Sequence, residues 1–247
     1  AFDRVDRHIL WSKLALWGVP AQLLRGIIAL YSHTWVRIKL DHTHVSQPFE
    51  TTNGLKQGCV LAPILFNLYM ADLPQALSKA CLSLPNIGGT KIQSLSYADD
   101  LIIFDQTRVG LQRALTALND YNLQNGLQIN PSKTKVMIFG KYRHKMTARW
   151  YIGSQTILTT KIYIYLGVWL TDQLLPNKQV ASIKTKSRAL VLSLKRLHHL
   201  LHCPTANPIL NILNTKSGPS LSYGSIVYPG KLDRVIEATI VRAHKTI

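Results

Sequence analysis

Residues 92–104 read IQSLSYADDLIIF, with apolar runs on either side of Ala98-Asp99-Asp100. This pattern predicts a β-hairpin whose strands, Ile92–Tyr97 and Leu101–Phe104, are apolar enough to be buried. Two unit charges about 4 Å apart repel by about 4 kcal/mol at an effective dielectric constant of 20, so a buried pair of aspartates needs a cation beside it. Magnesium is the best candidate, because it binds one or two carboxylates and then phosphate oxygens. An ordinary turn, where aspartate is common, is the alternative.

The chain on both sides of this hairpin alternates between helical and extended patterns. Apolar residues at helical spacing predict helices over Asp6–Trp17, Ala21–Tyr31, Leu111–Tyr121 and Gln179–His202, one from about Leu61 with Pro63 in its first turn, and a basic helix near the end. Short apolar runs predict strands at Val36–Leu40, Val45–Phe49, Leu127–Ile129, Val136–Phe139 and Tyr163–Leu170. This order indicates an α+β domain followed by a mostly helical region.

Positive charge is concentrated in the second half of the chain. Residues 1–110 hold 10 Lys+Arg against 8 Asp+Glu, whereas residues 111–247 hold 19 against 4. Such asymmetry favours a polyanionic partner, nucleic acid before a membrane, although a merely basic surface is also compatible with it. The longest apolar stretch, Val60–Met70, is too short to span a bilayer. Three widely spaced cysteines predict no disulfide framework. We therefore expect an intracellular protein, in the nucleus, the cytoplasm or both.

Three further stretches carry specific patterns. Residues 54–67 read GLKQGCVLAPILFN, residues 126–134 read GLQINPSKT, and residues 165–168 read YLGV. Together with the Asp99-Asp100 hairpin, these stretches resemble the reverse transcriptases of LINE-type (non-LTR) retrotransposons, in the same order, from Ala1 to about Leu170. The fourteen-residue run is the most specific match, because a tight turn that caps a buried helix explains its glycine but not the whole run.

The resemblance implies a fold and an activity. Residues 1–170 would form a partial right-hand polymerase palm, an antiparallel sheet with packed helices, and residues 171–247 a basic, mainly helical, thumb-like region. The family extends a 3′-hydroxyl DNA primer on an RNA template with deoxynucleoside triphosphates, by two-metal nucleotidyl transfer with two Mg²⁺ ions. The thumb would hold the template–primer duplex through its phosphates.

The resemblance also implies roles for individual residues. Asp99 and Asp100 would be catalytic metal ligands, Gln57 and Gly58 would lie along the incoming nucleotide and template base, Phe2 would exclude a ribose 2′-hydroxyl, and Lys133 would protonate pyrophosphate. Each has a plainer alternative: Phe2 as a core residue, Gly58 as a turn residue and Lys133 as an exposed turn lysine. The Leu166-Gly167 stretch resembles the segment that grips the primer end, and an ordinary strand and turn explains it equally well.

The first residues, Ala1-Phe2-Asp3, match a family motif whose metal-binding aspartate lies four residues before the alanine. That position precedes Ala1, so we do not assign its role to Asp3. We expect the fingers and the first palm strand to be missing, and the isolated chain to be inactive or feeble. The alternative is a non-catalytic, nucleic-acid-binding remnant of such an enzyme. An RNA-templated RNA polymerase is disfavoured by Phe2.

Overall fold

The computed structural model describes residues 2–41, 44–140, 149–201, 211, 215 and 218–244. The chain divides into two compact units, one formed by Ala1–Thr134 with Arg149–Ile157 and the other by Lys135–Ala148 with Leu158–Ile247. Both units mix helices with small sheets, so the α+β prediction is confirmed. The functional boundary expected near residue 170 stays a prediction, because compactness alone does not define a functional domain.

The first unit contains most of the predicted elements. Its helices are α1 (Arg7–Leu16), α2 (Ala21–Ser32), α3 (Ala62–Tyr69), α4 (Leu73–Ser78) and α5 (Arg108–Gln124). Its hairpins are β1–β2 (Trp35–Val36 and Phe49–Glu50), β3–β4 (Asn86–Ile87 and Thr90–Lys91) and β5–β6 (Ser94–Tyr97 and Asp100–Ile103). Strand β7 (Lys135–Val136) belongs to the second unit, and β8 (Trp150–Ile152) pairs in the first unit with residues 155–157 of β9 (Gln155–Thr159).

The second unit begins with the remainder of the small sheet, where β7 pairs in parallel with residues 158–159. It continues with hairpin β10–β11 (Ile162–Tyr165 and Val168–Thr171), then α6 (Asn177–Leu201), α7 (Gly218–Ser222) and α8 (Lys231–His244). One face of the hairpin packs on these helices, where Val168 meets Ile183, Leu221 and Leu232 in the buried core. None of the helices that the structure describes is both long and apolar enough to cross a bilayer.

Helix α1 organises the core of the first unit. Asp6 caps its start, since the Asp6 carboxylate accepts hydrogen bonds from the backbone N–H groups of His8 at 2.8 Å and Ile9 at 3.1 Å. Leu10 and Leu14 lie on one face and are almost fully buried. They belong to a cluster that also contains Tyr31, Leu65, Phe66 and Tyr69, so α1 is packed against α2 and α3.

A buried lysine joins α1 to the helices that support the β5–β6 hairpin. Lys13, 9% exposed, donates to the carbonyl oxygen of Tyr69 at 2.7 Å, to the carboxylate of Asp72 at 2.7 Å and to the hydroxyl of Tyr121 at 3.1 Å. Burial raises the pKa of Asp72, but the hydrogen bonds from Lys13 and Tyr121 outweigh it and leave that pKa below its usual value. Burial also raises the pKa of Tyr69 to about 12, so its phenol stays neutral.

Two predicted strands are wrong. Residues 127–129 form no strand, because Leu127 completes the end of α5: its N–H bonds to the carbonyl of Asn122 at 2.8 Å, and Gly126 beside it has φ +63°. The run predicted as one strand over Tyr163–Leu170 is the hairpin β10–β11, which turns at Leu166 and Gly167. Strands β3, β4, β8 and β9 were not predicted.

Asp105, just after β6, fixes the exit of the β5–β6 hairpin. Its carboxylate accepts hydrogen bonds from the backbone N–H groups of Leu82, Ser83 and Thr107 at 2.9, 3.2 and 2.7 Å, and from the Thr107 hydroxyl at 2.7 Å. Burial raises the pKa of Asp105, yet these hydrogen bonds together hold it below its ordinary value. Thr107 caps α5 by accepting from the N–H of Gly110 at 3.0 Å.

Replacing Gly110 with alanine tests this junction. A β-carbon there would lie 2.2 Å from the Asp105 carboxylate, which cannot move away without losing its hydrogen bonds. We expect Gly110→Ala to lower the free energy of unfolding by about 1–3 kcal/mol in urea denaturation followed by circular dichroism. The matched control is Gly26→Ala in α2, where nothing lies within 4 Å, and it should gain about 0.5–1 kcal/mol. Equal effects of the two substitutions would contradict this account.

Candidate active site

The buried guanidinium of Arg7 positions the loop that carries Gln57 and Gly58. It is only 7% exposed and donates to four backbone carbonyl oxygens: Nε to Gly54 at 2.9 Å, Nη1 to Tyr31 at 3.0 Å and Thr51 at 2.8 Å, and Nη2 to Asn53 at 3.3 Å. Hydrogen bonds from a charged donor are stronger than neutral ones. The segment that leads into the loop is therefore fixed to the start of α1 and the end of α2.

The first residues of the chain dock against the same loop. The N–H of Gly54 bonds to the carbonyl of Val5 at 2.8 Å, and the N–H of Leu55 bonds to the carbonyl of Phe2 at 3.0 Å. Gly54 has φ +84°, and a β-carbon there would lie 2.9 Å from the backbone of Asp3. Only glycine permits both the conformation and the close approach.

These contacts form an open pocket of about 470 Å³. Its lining consists of Phe2, Asp3, Lys56, Gln57, Gly58, Cys59, Ala62 and Pro63. The Phe2 ring stacks on Phe66 with ring centroids 4.5 Å apart, and the amide of Gln57 donates to the Asp3 carboxylate at 3.2 Å. The structure thus brings Phe2 together with Gln57 and Gly58, although these two residues lie more than 50 positions later in the chain. Phe2 is both a core contact and part of the pocket wall.

The predicted hairpin forms, but Asp100 is the first residue of its second strand and not part of the loop. Tyr97 pairs with Asp100 across a two-residue loop, and Ala98 in that loop has φ +52°, a conformation typical of such tight hairpins. Cross-strand partners share a face, so Asp100 lies on the same face as Tyr97 and Leu95. The opposite face carries Leu101 and Ile103, which pack against the cluster formed by α4 and α5.

The expectation that the strands of this hairpin are buried was wrong: Leu101 and Ile103 on the inner face are only partly buried, and the outer face is more exposed. Asp99 and Asp100 are exposed, and Leu95 and Tyr97 are 49% and 67% exposed. The physical reason is that β5 and β6 pair with each other, and no other described strand extends their sheet, so helices cover one face alone. The argument that a buried pair needs a cation therefore does not apply to these exposed carboxylates, because in water their repulsion is about fourfold weaker than at a dielectric constant of 20.

Asp99 and Asp100 are not among the residues that line this pocket. Within the described ranges, no group of three or more His, Cys, Asp and Glu side chains is placed to hold a metal ion. Adjacent exposed carboxylates nevertheless provide hard oxygen donors that fit Mg²⁺, which completes its shell with water and substrate phosphates.

Lys133 lies in a turn that Asn130 fixes. The Asn130 side-chain oxygen accepts from the N–H of Ser132 at 3.1 Å and from the Ser132 hydroxyl at 2.6 Å, while the N–H of Thr134 bonds to the Asn130 carbonyl at 3.0 Å. Lys133 is exposed and does not line the pocket. Its proposed role in proton transfer stays a prediction, as do the roles of the other five site residues.

A basic surface lies on the second unit. Lys178, Lys184, Lys186 and Arg188 of α6 are exposed, whereas Gln179, Ile183 and Ser187 on the other side of the helix are buried. The helix therefore packs one stripe on the unit and presents cations to solvent. Such an arrangement suits contact with a phosphate backbone.

Sequence reasoning missed two residues that organise the first unit, Arg7 and Lys13. Neither residue was singled out in the sequence, where only the apolar positions of this helix were used. A signal was available, since Arg7, Leu10 and Leu14 follow the spacing of one buried helical stripe. A charged residue on an apolar stripe indicates a buried hydrogen-bonded cation.

Comparisons with known proteins agree with the motifs. A family profile described as reverse transcriptase (RNA-dependent DNA polymerase) matches residues 1–170. The match covers more than half of the chain, so the chain belongs to the reverse transcriptase family. Its resemblance to the enzymes of non-LTR retrotransposons is confirmed.

The similar proteins are polyproteins and polymerases of mobile elements. The Pol polyprotein from the type-2 retrotransposable element R2DM of Drosophila melanogaster is 31% identical over 179 residues, which are 69% of this chain and 17% of that relative. The Pol polyprotein from the type-1 element R2 of Nasonia vitripennis is 29% identical over 54% of this chain and 13% of its own length. The RNA-directed DNA polymerase from the mobile element jockey of Drosophila melanogaster is 23% identical over 92% of this chain and 25% of its own length. The chain thus spans a quarter or less of these relatives.

The close approach at Gly54 gives a testable consequence. Gly54→Ala places a methyl group against the Asp3 backbone, whereas Gly18→Ala, at φ +79°, meets nothing within 4 Å. Both substitutions incur the cost of about 1–2 kcal/mol for a left-handed non-glycine residue. We expect Gly54→Ala to lose a further 1–3 kcal/mol, roughly, from overpacking, as measured by urea unfolding. Similar losses for the two variants would show that the first residues do not pack on the loop.

Proposed function

We propose that this chain is the part of an RNA-directed DNA polymerase that selects the nucleotide and holds the template–primer. The observation that carries this proposal is the pocket that joins Phe2, Gln57 and Gly58, within a stretch that matches the reverse transcriptase family. The parent enzyme extends the 3′-hydroxyl of a DNA primer on an RNA template, with deoxynucleoside triphosphates as substrates. In this proposal, a palm-like region over residues 1–170 and a thumb-like region over residues 171–247 carry out these tasks.

The pocket supports selection of the nucleotide by shape. Gly58, with φ +78° and nothing within 4 Å of a β-carbon position, leaves open space beside the backbone. The side-chain amide of Gln57, oriented by Asp3, offers polar groups at the pocket wall. The ring of Phe2, held by its stack on Phe66, closes one side and excludes a ribose 2′-hydroxyl. A deoxynucleotide fits such a wall better than a ribonucleotide.

Asp99 and Asp100 are the proposed ligands of Mg²⁺. When bound, Mg²⁺ neutralises the triphosphate and lowers the charge barrier to attack by the primer hydroxyl. Both carboxylates are exposed, so a hydrated Mg²⁺ ion would reach them and take phosphate oxygens as its further ligands. Lys133, in its Asn130-bound turn, is the proposed donor of a proton to the pyrophosphate leaving group.

The exposed cations of α6 support duplex binding by the second unit. Contacts of lysine and arginine with phosphates give affinity without reading sequence, and they weaken as salt rises. An RNA–DNA hybrid, whose minor groove is wide and shallow, suits a helix that contacts sugars and phosphates. These properties place the template and the primer among the proposed partners.

A second candidate function is nucleic-acid binding without chemistry. The observation in its favour is that Asp99 and Asp100 lie outside the pocket, with no third metal-binding side chain grouped with them in the described residues. This alternative retains the basic surface of α6 and predicts salt-sensitive hybrid binding. It predicts no effect of Mg²⁺ on nucleotide binding.

A double substitution separates the two functions. We expect the double variant Asp99→Asn, Asp100→Asn to weaken Mg²⁺-dependent binding of a deoxynucleoside triphosphate at least about tenfold. Removal of a side chain that merely supports a metal ligand already has an effect of about this size, so removal of two ligands should have at least as large an effect. Isothermal titration with and without Mg²⁺ measures this affinity. Binding of an RNA–DNA hybrid, followed by fluorescence anisotropy, should not change.

The matched control is Asp120→Asn, which neutralises an exposed carboxylate on α5. It should leave both affinities at the wild-type level. If Mg²⁺ does not improve nucleotide binding by the wild-type chain, or if the double variant binds as well as wild type, the polymerase proposal fails and the binding module stands.

A further inference from the structure

The tip of hairpin β10–β11, formed by Leu166 and Gly167, has an unusual backbone. Tyr165 pairs with Val168 across this two-residue loop, and the two loop residues have φ +45° and +78°. Positive φ at both positions matches the twist of a tight hairpin. For leucine, however, this conformation is sterically unfavourable, and such a residue persists where its surroundings hold it in place.

Tyr223 holds the tip from outside the hairpin. Its hydroxyl donates to the carbonyl oxygen of Leu166 at 2.7 Å. Its ring lies against the loop, since a β-carbon on Gly167 would be 3.4 Å from Cε1 of Tyr223. The contact joins residues 57 positions apart in the chain, between the hairpin and the turn that follows α7.

Strand β11, which follows the tip, is fixed by the side chains of Gln179 and Tyr228. The N–H of Trp169 donates to the side-chain oxygen of Gln179 at 3.0 Å, and the carbonyl of Trp169 accepts from the Tyr228 hydroxyl at 3.0 Å. Gln179 and Tyr228 are buried, so these bonds are sheltered from water. The outer edge of β11 is thereby closed by side chains. Gly224 permits this close packing, because a β-carbon there would lie 2.8 Å from Cγ2 of Val168.

The hydrogen bond from Tyr223 also fixes a donor on the other side of the peptide. The bond between Leu166 and Gly167 is planar and trans, so its N–H points opposite to its C=O. With the carbonyl directed at Tyr223, the N–H of Gly167 is directed away from it. A backbone N–H held in one direction is a suitable donor to a phosphate oxygen.

We infer that Tyr223 is a positioning residue that directs the Gly167 N–H at a phosphate near the 3′ end of the primer. The inference rests on the proposed function together with the resemblance of the Leu166-Gly167 stretch to the segment that grips the primer end. Tyr223 touches no reacting atom in this scheme. It acts through the Leu166–Gly167 peptide and keeps the primer strand in register while the rest of the duplex is held by charge.

A double-modification cycle tests this inference: the Tyr223 hydroxyl and one primer phosphate are altered separately and together. The probe is an RNA–DNA hybrid with a recessed DNA 3′ end, with a neutral methylphosphonate placed in turn at each of the last three primer linkages. For the wild-type chain, we expect one of these positions to weaken binding roughly twofold to tenfold, the range for a single hydrogen bond. For Tyr223→Phe, that same position should have little or no effect. Fluorescence anisotropy at fixed salt measures all of the affinities.

Two further variants complete the design. Tyr151→Phe removes an exposed phenol in the first unit and should respond to methylphosphonate as wild type does. Tyr228→Phe loosens the base of the hairpin and should reduce the response, by less than Tyr223→Phe does. Unchanged unfolding temperatures for these variants show that the effects are not due to misfolding.

The possible failures are distinguishable. If the wild-type chain does not bind the unmodified hybrid, the proposed function fails. If it binds but no linkage is sensitive, or if Tyr223→Phe keeps the full sensitivity, the positioning role of Tyr223 is overturned while duplex binding stands.

Discussion

The four hydrogen bonds from Arg7 are the constraint on which the first unit depends. One guanidinium ties the start of α1 to the end of α2 and to the segment before Gln57 and Gly58. Water competes poorly for these bonds, because Arg7 is almost entirely buried. Loss of the side chain would remove the Arg7 hydrogen bond from the carbonyl of buried Gly54, at a cost of about 1–3 kcal/mol. The pocket wall formed by Phe2 is therefore coupled to the same buried charge.

The two tight hairpins, β5–β6 and β10–β11, each hold a non-glycine loop residue in an unfavourable backbone conformation, and they support it in different ways. Ala98 and Leu166 both occupy left-handed backbone conformations that favour glycine. The first hairpin rests on α4 and α5 through one face, and it exposes the carboxylates of Asp99 in its loop and of Asp100 at the start of β6. The second is held at its tip by Tyr223 and behind the tip by buried side chains. Solvent access suits a loop that binds ions, whereas external support suits a loop that must keep a fixed geometry.

Much of the fold could be predicted from the sequence because local signals agree with it. The helix starting at Arg7 has an aspartate cap and a glycine end, and the hairpin at Ala98-Asp99 has a two-residue loop between apolar runs. The strand expected at Leu127–Ile129 could not be excluded, because an apolar residue after a glycine also completes a helix end. Tyr163–Leu170 was predicted as one strand because Leu166 is apolar. The positive φ of Leu166 could not be predicted, because leucine rarely adopts that conformation. The pocket could be predicted only in part: its motif residues were named and the spacing of Arg7 indicates burial, but which carbonyl groups Arg7 binds is decided by tertiary packing.

The exposure of Asp99 and Asp100 changes the physical role of the pair. In a buried hairpin, paired carboxylates would destabilise the fold unless a cation lay beside them. At an exposed turn, their repulsion is weak and the fold tolerates them without one. The pair therefore does not need a cation for the stability of the fold, and the role proposed for it is in binding. Two carboxylates alone satisfy only part of the octahedral shell of Mg²⁺, so in the proposed function its affinity for the ion would depend on the phosphates that share it. Nucleotide and metal ion are then expected to bind together, which would link the acidic hairpin to the substrate proposed for the pocket.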